Sequence, residues 1–552
     1  MNLTYLLIKT FVFKARRFEN ATRSPIKAQE KVLIDYLARN KDTEYGRTYG
    51  FSGIRSIAEY QRKVPPSDCA SLKSYIERMT KGEGNILTAD KPVFFGLTSG
   101  TTARHKFIPV TKYSRDKKRE CADLWSYYIA CDHPAILEGK ILAIVNTDVE
   151  GFTESGIPYG AESGHGYNNL PLPVRHLYAL PWQVFNIPDY ESRYYCILRL
   201  GIEQNITTLA TLNPSTIVLL CQKIDVWKDR IIADIENGTL SKDLKIPEDV
   251  RGSITRTLKA NPKRAGELKD ILKEKGELLP KYFWPDMQLI ECWKGGTVKL
   301  YLKELPKYFG QTPVRDFGCL STEARSSIPM SDEGAGGVLA INTNFYEFLP
   351  KEDIDKKDKR FLLCDQLEKG REYFLIVTTP GGLYRYNIDD IITVDGFFNK
   401  TPVIEFVQKG LNAVSMTGEK LYESHVNNAV NLAAEKHKLI VRFFSACAEI
   451  GVSPRYIFLV EFNEELTRDK KEALLRSIEE ELYNQNSEYE YARRSELLAP
   501  PVLKVVRRGD FEKYRARKIS EGTRDSQFKA PELTSDPAFQ ENFNIEDVIT
   551  IK

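Results

Sequence analysis

From about residue 91 the chain alternates short apolar runs with helical patterns, and this alternation limits the possible folds more than any other feature. "GKILAIVNTD" reads as a buried strand, and "PDYESRYYCILRLGIEQN" has the spacing of an amphipathic helix. "ITTLATL" is again a strand, ending at Asn213-Pro214-Ser215. A capping side chain followed by proline then opens the helix "TIVLLCQKIDVWKDRIIADIEN". Strands alternating with helices predict a layered α/β domain.

On either side of that region the pattern changes. Residues 1 to 90 read as mainly helical, with Pro25 placed to start the helix "PIKAQEKVLIDYLARN". Residues 242 to 277 are a highly charged helical stretch, read as a solvated face. From about 284 to 407 strands dominate: "MQLIECW", "GGVLAIN", "REYFLIVTT", "IDDIITVDGFF" and "PVIEFVQKG". After Lys409-Gly410 come a strand, "SPRYIFLVEF", and a long helix, "LTRDKKEALLRSIEEELYNQ". A chain of 552 residues exceeds what one core serves, so two domains are expected, 1–408 and 409–552.

Charge argues against some partners. With 79 basic and 76 acidic residues the net charge is only +3, which gives no electrostatic case for nucleic acid. Nine cysteines without a CxxC suggest neither a disulfide framework nor a zinc site, and a reducing compartment is expected. The start, "MNLTYLLIKTFVFKARRFEN", is interrupted by Lys9 and Lys14 and is too short to span a bilayer. It reads as an amphipathic helix with Arg16 and Arg17 on the wet side. No membrane partner and a cytoplasmic protein are the expectation.

"FFGLTSGTTARHKFIPVT", residues 94 to 111, is an apolar strand running into hydroxyls and glycine, then a basic patch. Thr98, Ser99, Gly100, Thr101 and Thr102 gather several backbone N–H groups in one bend, which suits phosphate oxygens, and small side chains permit close approach. GxxxxGK[ST] is absent, so this is no Walker loop. Taken alone such a run is more often just a loop, and Lys106 is either a phosphate contact or a solvated lysine.

Order along the chain adds to this. "FGCLSTEARSS", "LYRYNIDDIITVDGFF", "GEKLYESHV" and "SQFKAPEL" follow in turn. Together with "TSGTT…K.IP" they resemble the motifs of the auxin-responsive acyl-acid-amido synthetase family, adenylate-forming enzymes of the firefly-luciferase-like superfamily, in a microbial-type member. The resemblance covers nearly the whole chain. It implies a large N-terminal adenylate-forming domain of mixed β-sheets flanked by helices and a smaller mobile α+β C-terminal domain.

It also implies roles. Thr98 to Thr102 would hold ATP phosphates, and Thr322 would bond the α-phosphate. Glu323 would help hold Mg²⁺, a hard cation that needs oxygen ligands and keeps its waters. Asp390 would accept both ribose hydroxyls, since a carboxylate has two acceptor oxygens, with Asp389 a competitor. Lys420 would meet the nucleotide phosphate, and Lys529 would stabilise the adenylation transition state. Tyr194, Tyr195 and Leu198 would wall the acyl pocket by family position. As bare residues, Ser321 to Glu323 suit a helix N-terminus and Asp390 a turn between strands, while lone lysines are nearly always surface residues and core packing is the commoner role of Tyr194, Tyr195 and Leu198. His165, in "SGHGYNN", reads as a loop residue. Two positions depart from relatives: Cys319 stands where many carry an aromatic, with Phe317 a substitute, and Gln408-Lys409 where many carry an arginine.

The implied chemistry uses ATP and Mg²⁺ to turn a carboxylic acid into an acyl-adenylate with loss of pyrophosphate. An amino acid then displaces AMP to form an amide. An acyl-CoA or acyl-thiol ligase shares the first step, and a non-catalytic nucleotide-binding scaffold is the reading from another class. Small-molecule acid and amine partners follow; neither the acid nor the oligomeric state is legible.

Overall fold

The computed structural model describes residues 10–98, 106–145, 147, 149–170, 172–295, 299–354, 356–410, 413–520 and 531–551. They form two compact units: the residues up to Leu97 and Phe107–Val407 belong to the first, while Thr98, Lys106 and the residues from Gln408 onward belong to the second.

The first unit has two cores. One is built on a four-stranded parallel sheet in the order Lys140–Ala143, Ile206–Ala210, Leu289–Glu291, Val314–Arg315. Helices Tyr190–Gly201 and Pro214–Asn237 pack their apolar residues with it. The second helix starts as its sequence requires: the Asn213 side chain accepts the Ser215 N–H at 3.0 Å, with Pro214 at the first helical position. The first helix departs from its amphipathic reading. Ser192 to Gly201 are buried on all sides, because its arginines find backbone partners inside: Arg199 Nη2 donates to the Asp234 carbonyl at 2.9 Å and Arg193 Nε to that of Ile187 at 2.7 Å.

The other core joins the N-terminal helices to a six-stranded sheet, in the order Phe345–Pro350, Glu372–Thr378, Tyr386–Phe398, Thr401–Lys409, Gly337–Leu339, Ser327–Ile328. Helix Val12–Ala21 keeps Arg16 and Arg17 exposed while burying Ala15 and Phe18, as its spacing predicts. Arg385 ties these layers together. Its guanidinium pairs with Glu347 at 2.8 and 2.9 Å and donates to the carbonyls of Gln61 and Val64. Breaking such a buried pair typically costs about 3–5 kcal/mol because one charge is left uncompensated. A small sheet runs in the order Lys106–Thr111, Pro92–Thr98, Pro158–Gly160, Gly151–Phe152, and all of it but Thr98 and Lys106 belongs to this unit.

The second unit is α+β. Its five-stranded sheet runs Leu533–Thr534, Val441–Glu449, Arg455–Phe462, Val502–Val506, Ile545–Thr550. Helices Glu423–Lys436 and Arg468–Gln485 contribute Val426, Val430, Leu474 and Ile478 to its interior. A larger α/β part followed by a smaller α+β part agrees with the expected fold class.

Candidate active site

Strand Pro92–Thr98 carries the chain toward the expected phosphate loop, and only Thr98 of that loop is described, as the strand's last residue. Ser99, Gly100, Thr101, Thr102 and Lys529 lie outside the described residues. Against this strand packs the segment Leu320–Arg325. Leu320 and Arg325 pair as an antiparallel bridge, the Ser321 N–H donates to the Ala324 carbonyl at 2.9 Å, and the Ala324 N–H donates to Ser321 Oγ at 3.2 Å. This is a tight hairpin turn, so the helix N-terminus considered for Ser321 to Glu323 is not formed. The backbone groups a helix would leave for caps are consumed within the turn.

The turn is held from two directions. Thr322 Oγ1 donates to the Leu97 carbonyl at 3.4 Å, and its methyl fills the space beside Gly96, where only glycine leaves room. From helix Lys112–Asp132, Lys118 Nζ donates to the Thr322 carbonyl at 2.6 Å and to both Glu162 oxygens at 2.8 and 2.7 Å. Glu323, next along, is only 5% exposed and shares a small internal cavity with Ser114, Lys117, Lys118, Cys121 and Arg325. No sequence motif marks Lys118 or Glu162, because 44 and 204 positions separate Lys118 from its partners.

Asp390 reaches its position by a β-bulge, not by the simple turn between strands that its sequence allows. Phe374 pairs with Ile391 and Ile376 with Asn387, so Ile388, Asp389 and Asp390 stand opposite Leu375. Asp389 takes the left-handed conformation, φ 62°, which aspartate tolerates better than most residues. Its N–H donates to Asn387 Oδ1 at 2.9 Å. Bulges re-aim side chains, and this one leaves Asp390 buried inside a strand.

Asp390 lies close enough to Cys319 that its charge, with those of Asp316 and Glu405, adds to the main effect of burial in raising the Cys319 thiol's pKa. Asp316 is itself pushed up to about 6 by burial, although it accepts N–H bonds from Gly318 at 2.5 Å and Lys294 at 2.6 Å. Phe317 is stacked on Trp125, ring centroids 5.0 Å apart, and Trp125 Nε1 donates to the Asp316 carbonyl. Cys319 is too small to stack on a base, and Phe317 already has an aromatic partner.

In the second unit, the loop presenting Lys420 is built around Glu419. That buried carboxylate accepts the Met416 and Thr417 N–H groups, the Thr417 hydroxyl and the Tyr456 hydroxyl, at 2.5 to 2.9 Å. Lys420 Nζ pairs with Glu488 at 3.4 Å, and Asn486 holds the Lys420 carbonyl. Tyr194, Tyr195 and Leu198 lie in the helical core, where Tyr195 donates to Asp234 at 2.6 Å. His165 is not in a loop: helix Glu162–Asn168 carries it, and it stacks on Phe94 with centroids 4.2 Å apart.

No group of three or more His, Cys, Asp or Glu that could hold a metal occurs among the described residues. A single buried carboxylate ligand, the part Glu323 could play, suits a hard dication that draws its other ligands from nucleotide oxygens and water. No helix among them is long and apolar enough to cross a membrane.

Comparison with known proteins gives the same framework. The GH3 family N-terminal domain matches residues 14–314, the central domain 337–409 and the C-terminal domain 424–538. The chain belongs to the GH3 family. Indole-3-acetic acid-amido synthetase GH3.3 of Arabidopsis thaliana is 26% identical, over 95% of this chain and 92% of its own length. Jasmonoyl-L-amino acid synthetase JAR4 of Nicotiana attenuata is 24% identical over 93% and 92%. Among solved structures, GH3.15 acyl acid amido synthetase superposes with a TM-score of 0.65 at 23% identity, covering 96% of each chain. The GH3 fold is therefore shared from end to end, and the resemblance read from the five motifs holds.

Proposed function

We propose that this chain is an ATP-dependent ligase that adenylates a carboxylic acid and transfers the acyl group to the amine of an amino acid, releasing pyrophosphate and AMP, in the cytoplasm. The observation that carries the reading is the Thr322–Glu323 turn, clamped by Gly96, Leu97 and Lys118 at the end of the strand that leads into Thr98-Ser99-Gly100-Thr101-Thr102. Support comes from the GH3 relatives, which are named indole-3-acetic acid-amido synthetase and jasmonoyl-L-amino acid synthetase.

Adenylation brings two anions together. The acid's carboxylate oxygen attacks the α-phosphorus of ATP, the bond to the bridging oxygen breaks, and pyrophosphate leaves with that electron pair. In this reading the loop amides and hydroxyls of Thr98 to Thr102 meet the phosphate oxygens, the Thr322 hydroxyl turns from the Leu97 carbonyl to donate to the α-phosphate, and Asp390 takes the ribose hydroxyls. Glu323 would hold Mg²⁺, which when bound supplies positive charge to the phosphates. Lys529 supplies further positive charge where it develops in the transition state. Lys420 joins the phosphate when it exchanges Glu488 for a stronger anion. In the second half-reaction the amine nitrogen attacks the acyl carbon, the mixed anhydride opens, AMP departs and the nitrogen loses a proton.

The test is direct. Purified protein is given ATP, Mg²⁺ and panels of carboxylic acids, with amino acids or coenzyme A as acceptor, and products are weighed. An acyl-amino acid with stoichiometric AMP is expected. An acyl-CoA would overturn the acceptor, and absence of AMP formation with every acid would overturn the reading. Lys529→Ala should abolish acid-dependent ATP–pyrophosphate exchange in a protein that still melts cooperatively.

A further inference from the structure

One cluster of buried polar groups takes no part in that scheme. At the carboxyl ends of the parallel strands, Ala143 pairs with Ala210, Ala210 with Glu291, and Glu291 with Arg315. Residues paired in register share a face of the sheet, so two methyl groups, a carboxyl and a guanidinium form one row. In open α/β sheets the ligand crevice lies at this end of the strands. Arg325 belongs to the same cluster, because its charge and that of Arg315 both act on Glu291. Arg325 also reaches over the Trp125 ring, 5.1 Å from its centroid, and Trp125 stacks on Phe317.

These groups are incompletely bonded. Arg315 is wholly buried and gives Nε to Asp332 and Nη2 to Asp132, both at 2.6 Å, while Nη1 has no partner among the described residues. Arg325 is 7% exposed, its Nε has no partner among the described residues, and its Nη2 meets the Phe317 carbonyl at a long 3.4 Å. The Glu291 carboxyl, 8% exposed, has no hydrogen-bond partner among the described residues. Folded proteins leave few buried donors and acceptors open, and the exceptions gather where a ligand supplies the partner.

We propose that Glu291, Arg315 and Arg325 form a polar subsite of the acyl-acid pocket, and that the acid this chain activates carries a hydroxyl or similar hydrogen-bonding group away from its reacting carboxylate. The inference rests on the ligase reading. A hydroxyl both donates to a carboxyl and accepts from a guanidinium, so it satisfies both kinds of open group at once. A second carboxylate fits less well, since it offers nothing to Glu291. Ala143 and Ala210 leave the row low beside Glu291, and the Trp125–Phe317 pair gives the subsite an apolar side. Burial pushes the Glu291 carboxyl up to about 8, so near neutral pH it is largely a neutral donor and acceptor.

The experiment measures acid-dependent ATP–pyrophosphate exchange with aromatic and aliphatic acids, each beside its hydroxylated counterpart, such as phenylacetate with 4-hydroxyphenylacetate and butyrate with 3-hydroxybutyrate. A site built to bond a hydroxyl rejects the analogue lacking it, so kcat/KM should favour the hydroxylated member of at least one pair by about 100-fold or more. In Glu291→Met and Arg325→Met that preference should shrink below about 10-fold. Ala210→Leu fills the row without touching a charge and should lower kcat/KM for the hydroxylated acid by at least about 10-fold, a readout that survives if a charge variant does not fold. Exchange that ignores the hydroxyl in the wild type, or a preference that persists in both Met variants, overturns the subsite alone. Exchange with no acid at all overturns the ligase reading and the subsite together.

Discussion

Thr322 closes against Gly96 so tightly that a Cβ on the glycine would stand 2.4 Å from the Thr322 Cγ2. The strand and the turn before Glu323 are therefore one packed unit, and the glycine is what permits it. Gly96→Ala should push the turn away from the strand, at about 1–3 kcal/mol of overpacking. A fall of at least about tenfold in acid-dependent pyrophosphate exchange is expected, since a misplacement of about 1 Å can cost about 100-fold in rate. Thermal melting and exchange assays on the same preparation check it; wild-type exchange in a destabilised variant would separate the turn from the reaction.

Lys118 acts on that turn from outside. Lys118→Met removes the ammonium from the Thr322 carbonyl and leaves Glu162 unpaired. On the proposal that Glu323 holds Mg²⁺, Lys118 orients a metal ligand, and such groups typically matter by about 10–100-fold, so a loss of that size in kcat/KM for ATP is predicted, with a raised Mg²⁺ requirement. The ion pair is partly exposed, and the stability loss should stay near or below about 1 kcal/mol. Lys118→Arg should recover part of the activity. A melting change without any shift in the Mg²⁺ titration would show that Lys118 only braces the fold.

If Asp390 takes the ribose hydroxyls as proposed, Asp390→Ala should weaken ATP by about tenfold or more, because two charge-assisted hydrogen bonds would disappear. Asp389→Gly, at the left-handed position beside it, should keep the bulge and bind ATP normally. Calorimetric titration of both variants with ATP distinguishes them. The opposite result would assign the ribose to Asp389.

Glu291 gives a pH signature that needs no substrate. Its carboxyl ordinarily titrates near 4.5 and is raised to about 8 here, mainly by burial, against the lowering influence of Arg315 and Arg325. The folded chain therefore holds that proton more tightly than the unfolded chain. Its contribution to stability is full below about 4.5 and is lost as pH rises through about 8, by up to about 1.4 kcal/mol per pH unit. Glu291→Gln lacks this slope. Relative to wild type the variant should gain melting temperature from pH 5 to 8 and show no further relative gain above that. A difference that stays flat across the range would mean the carboxyl is ionised throughout.

What could be read along the chain was what is local or periodic. Helix Pro214–Asn237 follows from a cap, a proline and apolar spacing, and the GH3 assignment follows from short motifs in order. Burial was less legible, as helix Tyr190–Gly201 shows: its arginines look like a wet face until the carbonyls of Asp234 and Ile187 come within reach. The turn at Ser321 was likewise ambiguous, since a serine three residues before its bonding partner suits a helix cap or a hairpin equally well.

By itself the sequence determined the layered α/β class, the family and the residue types offered to a nucleotide, because propensity, capping and motif order act over neighbouring positions. Only the tertiary structure decided which distant groups meet: Lys118 with Thr322, Gly96 with the same threonine, and Glu291 with Arg315 across adjacent strands. Those contacts depend on sheet register and on close approach of separate elements. Neither is encoded within any one segment, so they exist only once the chain has packed.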